Sequence, residues 1–433
     1  MGIMGIIVGI LILSVMMIVH ELGHYLTGRK LGFTIEEFSI FMGPVLFSWE
    51  RNGIKYSIKL FPIGASVRFA GEFSDDEPGS ADPGHFYNRP LWARATVIAT
   101  GPALNLLSGI LAFFIMFVSF GYTIPLIASV PDLSLASEAG IEAGDRILEI
   151  NGTRVRTTLD YSAETMFIQK DESMVLVVRS ADQTTRTVTL NPAYRDAYRL
   201  GITVTTGSDG RIAIESVDPD SNNGNPVLQA GDIILSANGA SSTDMKAFSK
   251  AVADSKGEPM QVSILRDGSE QTVTMQATRY SDPVDTGIYF ASSQAAGPAI
   301  GQSFQWSWSI VKVTFKSIGA MFSGTIRPQD TLSGPVGVVS MISDVVTEEQ
   351  PFVEKIYQLL WMFAIISVTL GFMNLLPIPP LDGHHLILIV VEAIRGKRLP
   401  DRVQNLIGMV GIAFIILLAL TALMFDVLRL AGK

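Results

Sequence analysis

The chain of 433 residues has no cysteine, so disulfides and thiolate metal sites are excluded. It is also poor in charge. Asp, Glu, Lys and Arg make up only 17% of it, against about a quarter in a soluble globular protein. The net charge of −9 supplies no basic surface, so no nucleic-acid partner is expected. Histidine is scarce as well, with five in the whole chain. What is present instead is long uncharged sequence. Ile3 to Val19, Ala95 to Pro131, Ile356 to Leu381 and Val403 to Phe425 carry no Asp, Glu, Lys or Arg.

A membrane-spanning helix needs roughly 20 mostly apolar residues, so four spans are expected. The first reaches that length only by taking in His20, Glu21 and His24. No basic residue precedes it and no small-residue cleavage site follows, so it reads as a retained helix and not a signal peptide. Arg29, Lys30, Arg89 and Arg94 bracket the first loop, and Arg395, Lys397, Arg398 and Arg402 fill the third. Short loops rich in Lys and Arg stay in the cytoplasm. That places both termini and the long acidic second loop, about 123–353, outside it. A cysteine-free domain there fits a bacterial envelope protein of the cytoplasmic (inner) membrane.

The second loop repeats itself. "EAGDRILEING" at 142–152 returns as "QAGDIILSANG" at 229–239, and each copy is followed by a helix-like stretch and two alternating strands. Gly-Asp-x-Ile-Leu-x-x-x-Asn-Gly resembles the core of bacterial PDZ domains, here in tandem. Such a domain adds an extended peptide to an open sheet edge. Turns at Gly201 and Gly287 would leave backbone N–H groups for a carboxylate, or would simply be turns. Residues 300–325 place Trp306, Trp308 and Phe315 beside Lys312 and Lys316, as expected of an amphipathic helix on the membrane surface or one packed beneath the repeats. In the first loop, "GIKYSIKLFPIGASVRFAG" (53–71) alternates and then breaks at Pro62 and Gly64, which predicts strands. These lie either in the cytoplasm or in a protein-lined cavity, because lipid does not tolerate open strand edges. The acidic stretch 72–84 reads as a flexible loop.

"HELGH" (20–24) carries the chemistry. Positions i and i+4 share one helix face, so His20 and His24 can grip one metal ion, while Glu21 lies one residue round and can deprotonate a bound water. Ionisable residues inside a span are costly and usually functional. A catalytic zinc takes three protein ligands and keeps an open position. The third could come from "NLLPIPPLDGHHLILIVV" (374–391), which offers Asp382, His384 and His385 where prolines break the third span. His85 lies in a loop and reads as solvated. Asp382 and the histidines both fall at the inner ends of their spans.

"HELGH" with "NLLPIPPLDG" resembles the site-2 protease family of intramembrane zinc metalloproteases, and the tandem insertion resembles its bacterial RseP-like members. "GPALN" (101–105) and "SGPVGV" (333–338) extend the match over nearly the whole chain. The resemblance implies zinc ligands His20, His24 and Asp382, with Glu21 as catalytic base. It implies that Asn374 holds unwound substrate backbone, and that a β-region including Tyr56, Ile58 and Gly64 clamps substrate as an added strand. It implies single-pass membrane substrates such as truncated anti-sigma factors, and remnant signal peptides. The family usually has Asp-Gly-Gly-His, and here His384 stands where the second glycine is usual.

The expected fold is a polytopic α-helical membrane protein with four transmembrane helices, two inserted extracytoplasmic PDZ-like α+β domains and a membrane-associated β-region. The expected boundaries are 1–28 for the first span, 29–92 for the β-region loop and 93–121 for the second span. The PDZ-like domains are expected at 122–200 and 201–290, and the amphipathic membrane-surface segment at 291–353. The third span and a short following helix take 354–394, and the fourth span region 395–433. The expected function is zinc endopeptidase cleavage of transmembrane segments, with the active site toward the cytoplasm and the PDZ pair gating access. A non-catalytic PDZ scaffold and a two-histidine, one-carboxylate iron site are the alternatives.

Overall fold

The computed structural model describes residues 2–72, 82–132, 134–168, 172–206 and 211–430. Most of the acidic stretch expected as a loop, 73–81, lies outside these. Among the described residues, four helices are long and apolar enough to cross a membrane. They are Ile3–Lys30, Leu91–Phe120, Phe352–Met373 and Asp401–Leu430. The third helix is shorter than its uncharged run. Asn374 to Leu381 leave the helix, and a new one, Asp382–Arg395, begins at the Asp-Gly pair.

The contacts divide the chain into two compact units. The first holds Met1–Leu126, Ile147–Phe167 and Phe290–Lys433. Small residues let its helices approach, the usual device where hydrophobic burial gives no drive in lipid. A Cβ on Gly109 of the second span would lie 2.6 Å from Val368 of the third, and one on Gly371 would lie 2.7 Å from the Pro102 carbonyl. Buried Arg94 of the second span donates to Glu392 at 2.8 Å, which ties that span to the Asp382–Arg395 helix. Asp426, in the last turns of the fourth helix, is 1% exposed and accepts from Gly334 N–H (3.1 Å) and Gly337 N–H (2.8 Å). Its carboxylate thus caps the N-terminus of the helix Pro335–Thr347, where negative charge is favoured. This accounts for "SGPVGV": a side chain at Gly337 would collide with Asp426 at 2.4 Å.

The helix Ala296–Phe322 packs on protein. Trp306 is buried against Phe113, Phe117 and Trp361. Lys312 and Lys316, expected either at the membrane surface or in a helix packed beneath the repeats, pair with Asp160 (2.5 Å) and Glu164 (2.6 Å) of the helix Thr158–Met166. Trp308 and Phe315 remain exposed.

Two long strands, Ile35–Arg51 and Ile54–Phe69, fold into a small sheet. Residues 35–40 sit inside it. They pair with 65–69 on one side (Phe38 opposite Val67) and with 55–58 on the other (Phe38 opposite Tyr56). Residues 45–51 pair with 54–59 beyond. Among the described residues, the outer strands are therefore 45–51 and 65–69. The far end of the sheet is apolar and exposed at Met42, Leu46, Phe47, Phe61 and Ile63. It lies against the first span, where Ser14 Oγ donates to the Pro62 carbonyl at 2.5 Å. Ser14 is six residues before His20, about 9 Å along a helix.

The second unit holds Ile127–Arg146 and Ile168–Tyr289. Within it, strands 269–276, 259–266, 233–237, 212–217 and 202–206 are neighbours in that order. Phe248 and Val252 of the helix Met245–Asp254 pack onto Ile212, Ile234, Val262 and Ile264. Strand 202–206 is the edge, and a groove of about 790 Å³ runs between it and that helix, lined by Leu200, Gly201, Ile202, Phe248 and Val252.

The repeated Gly-Asp pairs have a local explanation. Asp232 accepts from Arg266 Nε (2.8 Å) and Nη2 (2.7 Å), and from the Gln229 N–H (2.8 Å). Asp145 does the same with Arg186 (2.5 Å) and the Glu142 N–H (3.1 Å). The Arg266 hydrogen bonds hold the Asp232 carboxyl below its usual range. Such a group stabilises the fold above its unfolded pKa, near 3.9, and that contribution is lost as pH falls through the lower folded value. Asp232→Asn is expected to destabilise this unit by about 2–3 kcal/mol at neutral pH. In acid denaturation the gap between variant and parent should close as pH drops below about 4.

Candidate active site

His20 and His24 face the same side of the first span, one turn apart. Both are buried, with their Nε2 atoms 3.1 Å apart. Asp382 meets them from the start of its helix, with Oδ2 3.0 Å from His20 Nε2 and Oδ1 3.6 Å from His24 Nε2. One ligand atom from each of the three lies within 4.8 Å of the others, and no other such group of His and acidic residues occurs among the described residues. The broken helix makes this possible. Gly383 N–H donates to the Asn374 carbonyl at 2.7 Å, and a Cβ on Gly383 would lie 2.1 Å from the Leu375 carbonyl oxygen. Only glycine lets the turn close back so tightly.

The donor set fits a divalent metal with an open position: two imidazole nitrogens and one carboxylate. The surroundings fit too. His24 Nδ1 lies 2.9 Å from the Val97 carbonyl. That carbonyl can only accept, so the proton sits on Nδ1 and the Nε2 lone pair points into the cluster. His20 Nδ1 lies 3.4 Å from the Asn105 side-chain nitrogen, while Asn105 Oδ1 is buried without a partner. Turning that amide over gives Nδ1–H its acceptor and satisfies the stranded oxygen. Gly101 supplies room. A Cβ there would lie 2.2 Å from His24 Nε2 and 2.9 Å from His20 Nε2. "GPALN" thus contributes the two ends of its motif, Gly101 and Asn105, to the histidine face.

Glu21 points toward the β-region, where its Oε2 accepts the Val67 N–H at 2.9 Å. Glu72 accepts the Phe69 N–H at 3.3 Å. Burial pushes the Glu72 carboxyl up to about 7. The sequence offered no signal for Glu72, because its role depends on where the strand ends.

His384 is buried and lies edge-on to His385, outside the three-residue group. Asn374 is at the cluster: its side-chain nitrogen is 3.4 Å from His20 Nδ1. Tyr56 and Ile58 differ from expectation. They lie on an interior strand paired on both sides, and Tyr56 Oη bonds Tyr25 Oη at 2.8 Å. The edge beside the histidines is 65–69, which begins just after buried Gly64. Gly201 lines the groove of the second repeat, with φ of +66°. Gly287 is in a turn where its N–H already donates to Asp285 Oδ1 at 3.1 Å.

Comparison with known proteins agrees with this geometry. The pattern of Peptidase family M50 matches residues 8–418. A Pasteurella multocida protein named as a zinc metalloprotease is 30% identical over 97% of this chain and 98% of its own length. Regulator of sigma-E protease RseP of Escherichia coli is 29% identical with the same coverage. Protease RseP of Yersinia pestis is 28% identical, again over 97% of this chain and 98% of its own. With a match this long and a metal-competent cluster at its centre, the chain belongs to peptidase family M50, the site-2 protease family of metalloproteases.

Proposed function

We propose that the protein is a zinc endopeptidase that cuts transmembrane segments of single-pass membrane proteins within the bilayer. One observation carries this reading: His20 and His24 of a spanning helix converge with Asp382, at the start of the short helix that follows the third span, with Glu21 next to His20 in the chain. His20, His24 and Asp382 would hold the ion. When bound, zinc polarises a carbonyl and lowers the pKa of a bound water from 15.7 to about 7. Glu21 takes a proton from the attacking water and delivers it to the amide nitrogen as the C–N bond breaks. Val97 and Asn105 hold the imidazoles in the tautomer that faces the cluster. The substrate must unwind first, because a helical peptide has no backbone group to spare. Strand 65–69 offers an edge for the unwound segment, and the Asn374 amide can bond both N–H and C=O.

The two repeats read as PDZ-like domains outside the cytoplasm, with the active site toward the cytoplasmic side of a bacterial inner membrane. The basic loops support that orientation. The groove beside Gly201 suits an extended peptide laid along strand 202–206, and supports gating through the second repeat. By analogy with relatives named as regulators of sigma-E, truncated anti-sigma factors are the proposed substrates, and remnant signal peptides a further class. The intact set of His20, Glu21, His24 and Asp382 argues against a non-catalytic scaffold.

The test uses purified full-length protein and a single-pass substrate trimmed of its extracytoplasmic domain. Cleavage inside the membrane segment should vanish on metal removal and return with zinc, at one zinc per chain. Full-rate cleavage by metal-free protein, or iron as the bound metal, would refute the reading. A second expectation concerns Asn105. Asn105→Leu should weaken zinc binding about 10–100-fold, and Asn105→Asp, which keeps an acceptor for Nδ1–H, should recover most of it. Equal affinity in the two variants would remove Asn105 from that role.

A further inference from the structure

We propose that the edge strand of the β-region holds the catalytic base in reserve and that an incoming substrate strand releases it. The idea rests on the reading above, in which substrate adds to that edge. Among the described residues, 65–69 have a pairing partner on one side only, the strand 35–40. On the other side Val67 N–H donates to Glu21 Oε2 at 2.9 Å. Two residues on, Phe69 N–H donates to Glu72 Oε2 at 3.3 Å. Alternate residues of a strand point their N–H groups to the same edge, so both donors belong to the row that an added strand would use. In this resting arrangement the protein's own carboxylates occupy that row.

The physical logic is one of exchange. A partly buried edge N–H is costly to leave unpaired, so a nearby carboxylate takes it. Glu21 is then fixed on the strand. An extended substrate brings carbonyl groups at the strand repeat and can take over both N–H groups. The Glu21 carboxylate is thereby freed to meet the attacking water. No covalent bond changes in this step; one hydrogen-bond acceptor replaces another. A segment that is still helical cannot compete, since its carbonyls are bonded within the helix. Selection for unwound backbone is therefore built into the availability of the base, in addition to any effect of access. Glu72 does the same for the neighbouring donor and keeps the edge closed as a unit.

The experiment removes a single hydrogen. Val67 is replaced in the full chain by its α-hydroxy acid, so an ester oxygen stands where the N–H was and the side chain is unchanged. Val67→Pro, which removes the same donor and is tolerated on a strand edge, serves as a second variant. Each is assayed on a full membrane-anchored substrate and on a capped dipeptide too short to form a strand. On the dipeptide, kcat is expected to rise about tenfold, because nothing now holds Glu21 on the edge; on the long substrate, whose carbonyls already displace Glu21 in the parent, kcat is expected to rise less than about twofold. Merely structural damage would lower kcat on both. If kcat on the dipeptide is unchanged or falls, the reserve proposal is overturned. If kcat on the long substrate rises as much as on the dipeptide, substrate does not displace Glu21 from strand 65–69, and the underlying reading of substrate binding fails separately.

Discussion

Glu21→Gln is expected to slow cleavage of a membrane-anchored substrate about 10²–10⁴-fold, the usual worth of a positioned general base. The substitution keeps the side chain's size and still offers an oxygen to the Val67 N–H, so the contact at 2.9 Å can persist. What is lost is the capacity to take a proton. Metal content should not change, because the converging group is His20, His24 and Asp382, and Glu21 is not part of it. Single-turnover cleavage and metal analysis on the same preparation make the check. A rate within a few-fold of the parent would mean that another group takes the proton. Loss of the metal would mean that Glu21 is a ligand.

Gly101→Ala has an equally large expected effect through a different cause. Alanine in mid-helix is favoured over glycine by about 1 kcal/mol, so the second span itself should not suffer. The added methyl, however, would lie 2.2 Å from His24 Nε2, 2.4 Å from His24 Cε1 and 2.9 Å from His20 Nε2. No carbon is accommodated at those distances unless both rings move. Because imidazole orientation governs affinity, zinc binding is expected to weaken about 100-fold or more, with cleavage lost in parallel. Helix content and thermal stability of the metal-free protein should stay close to the parent. A variant that binds zinc normally would show that the space above Gly101 is not needed by the site.

Much of this was legible in the chain. Uncharged runs as long as a bilayer is thick leave few alternatives to spanning helices. The i, i+4 spacing of His20 and His24 sets their common face whatever the surroundings. The Asp-Gly pair after three prolines marks the break in the third run, and the 87-residue repeat marks two like Gly-Asp turns, each held by an arginine.

Other features depend on partners far apart in sequence. Alternation in 53–71 predicts strands, and the family resemblance points within them to Tyr56 and Ile58. Yet which strand is interior depends on where 35–40 inserts, and that puts 65–69 at the edge by the site. Lys312 and Lys316 suit a membrane surface or a packed helix equally in sequence, and only the fold sets Asp160 and Glu164 opposite them. Asp426 carried no signal, because its partners Gly334 and Gly337 lie about ninety residues earlier.

The sequence by itself determined the periodic and local properties: which stretches are apolar enough for lipid, which residues share a helix face, and where a helix must stop. These follow from composition and from backbone geometry within a few residues. Only the tertiary structure decided which edge stands open, which amide orients His20, and where Glu21 rests. Those depend on long-range packing, such as the approach of Gly23 to the Thr100 carbonyl, which leaves no room for a Cβ between the first two spans.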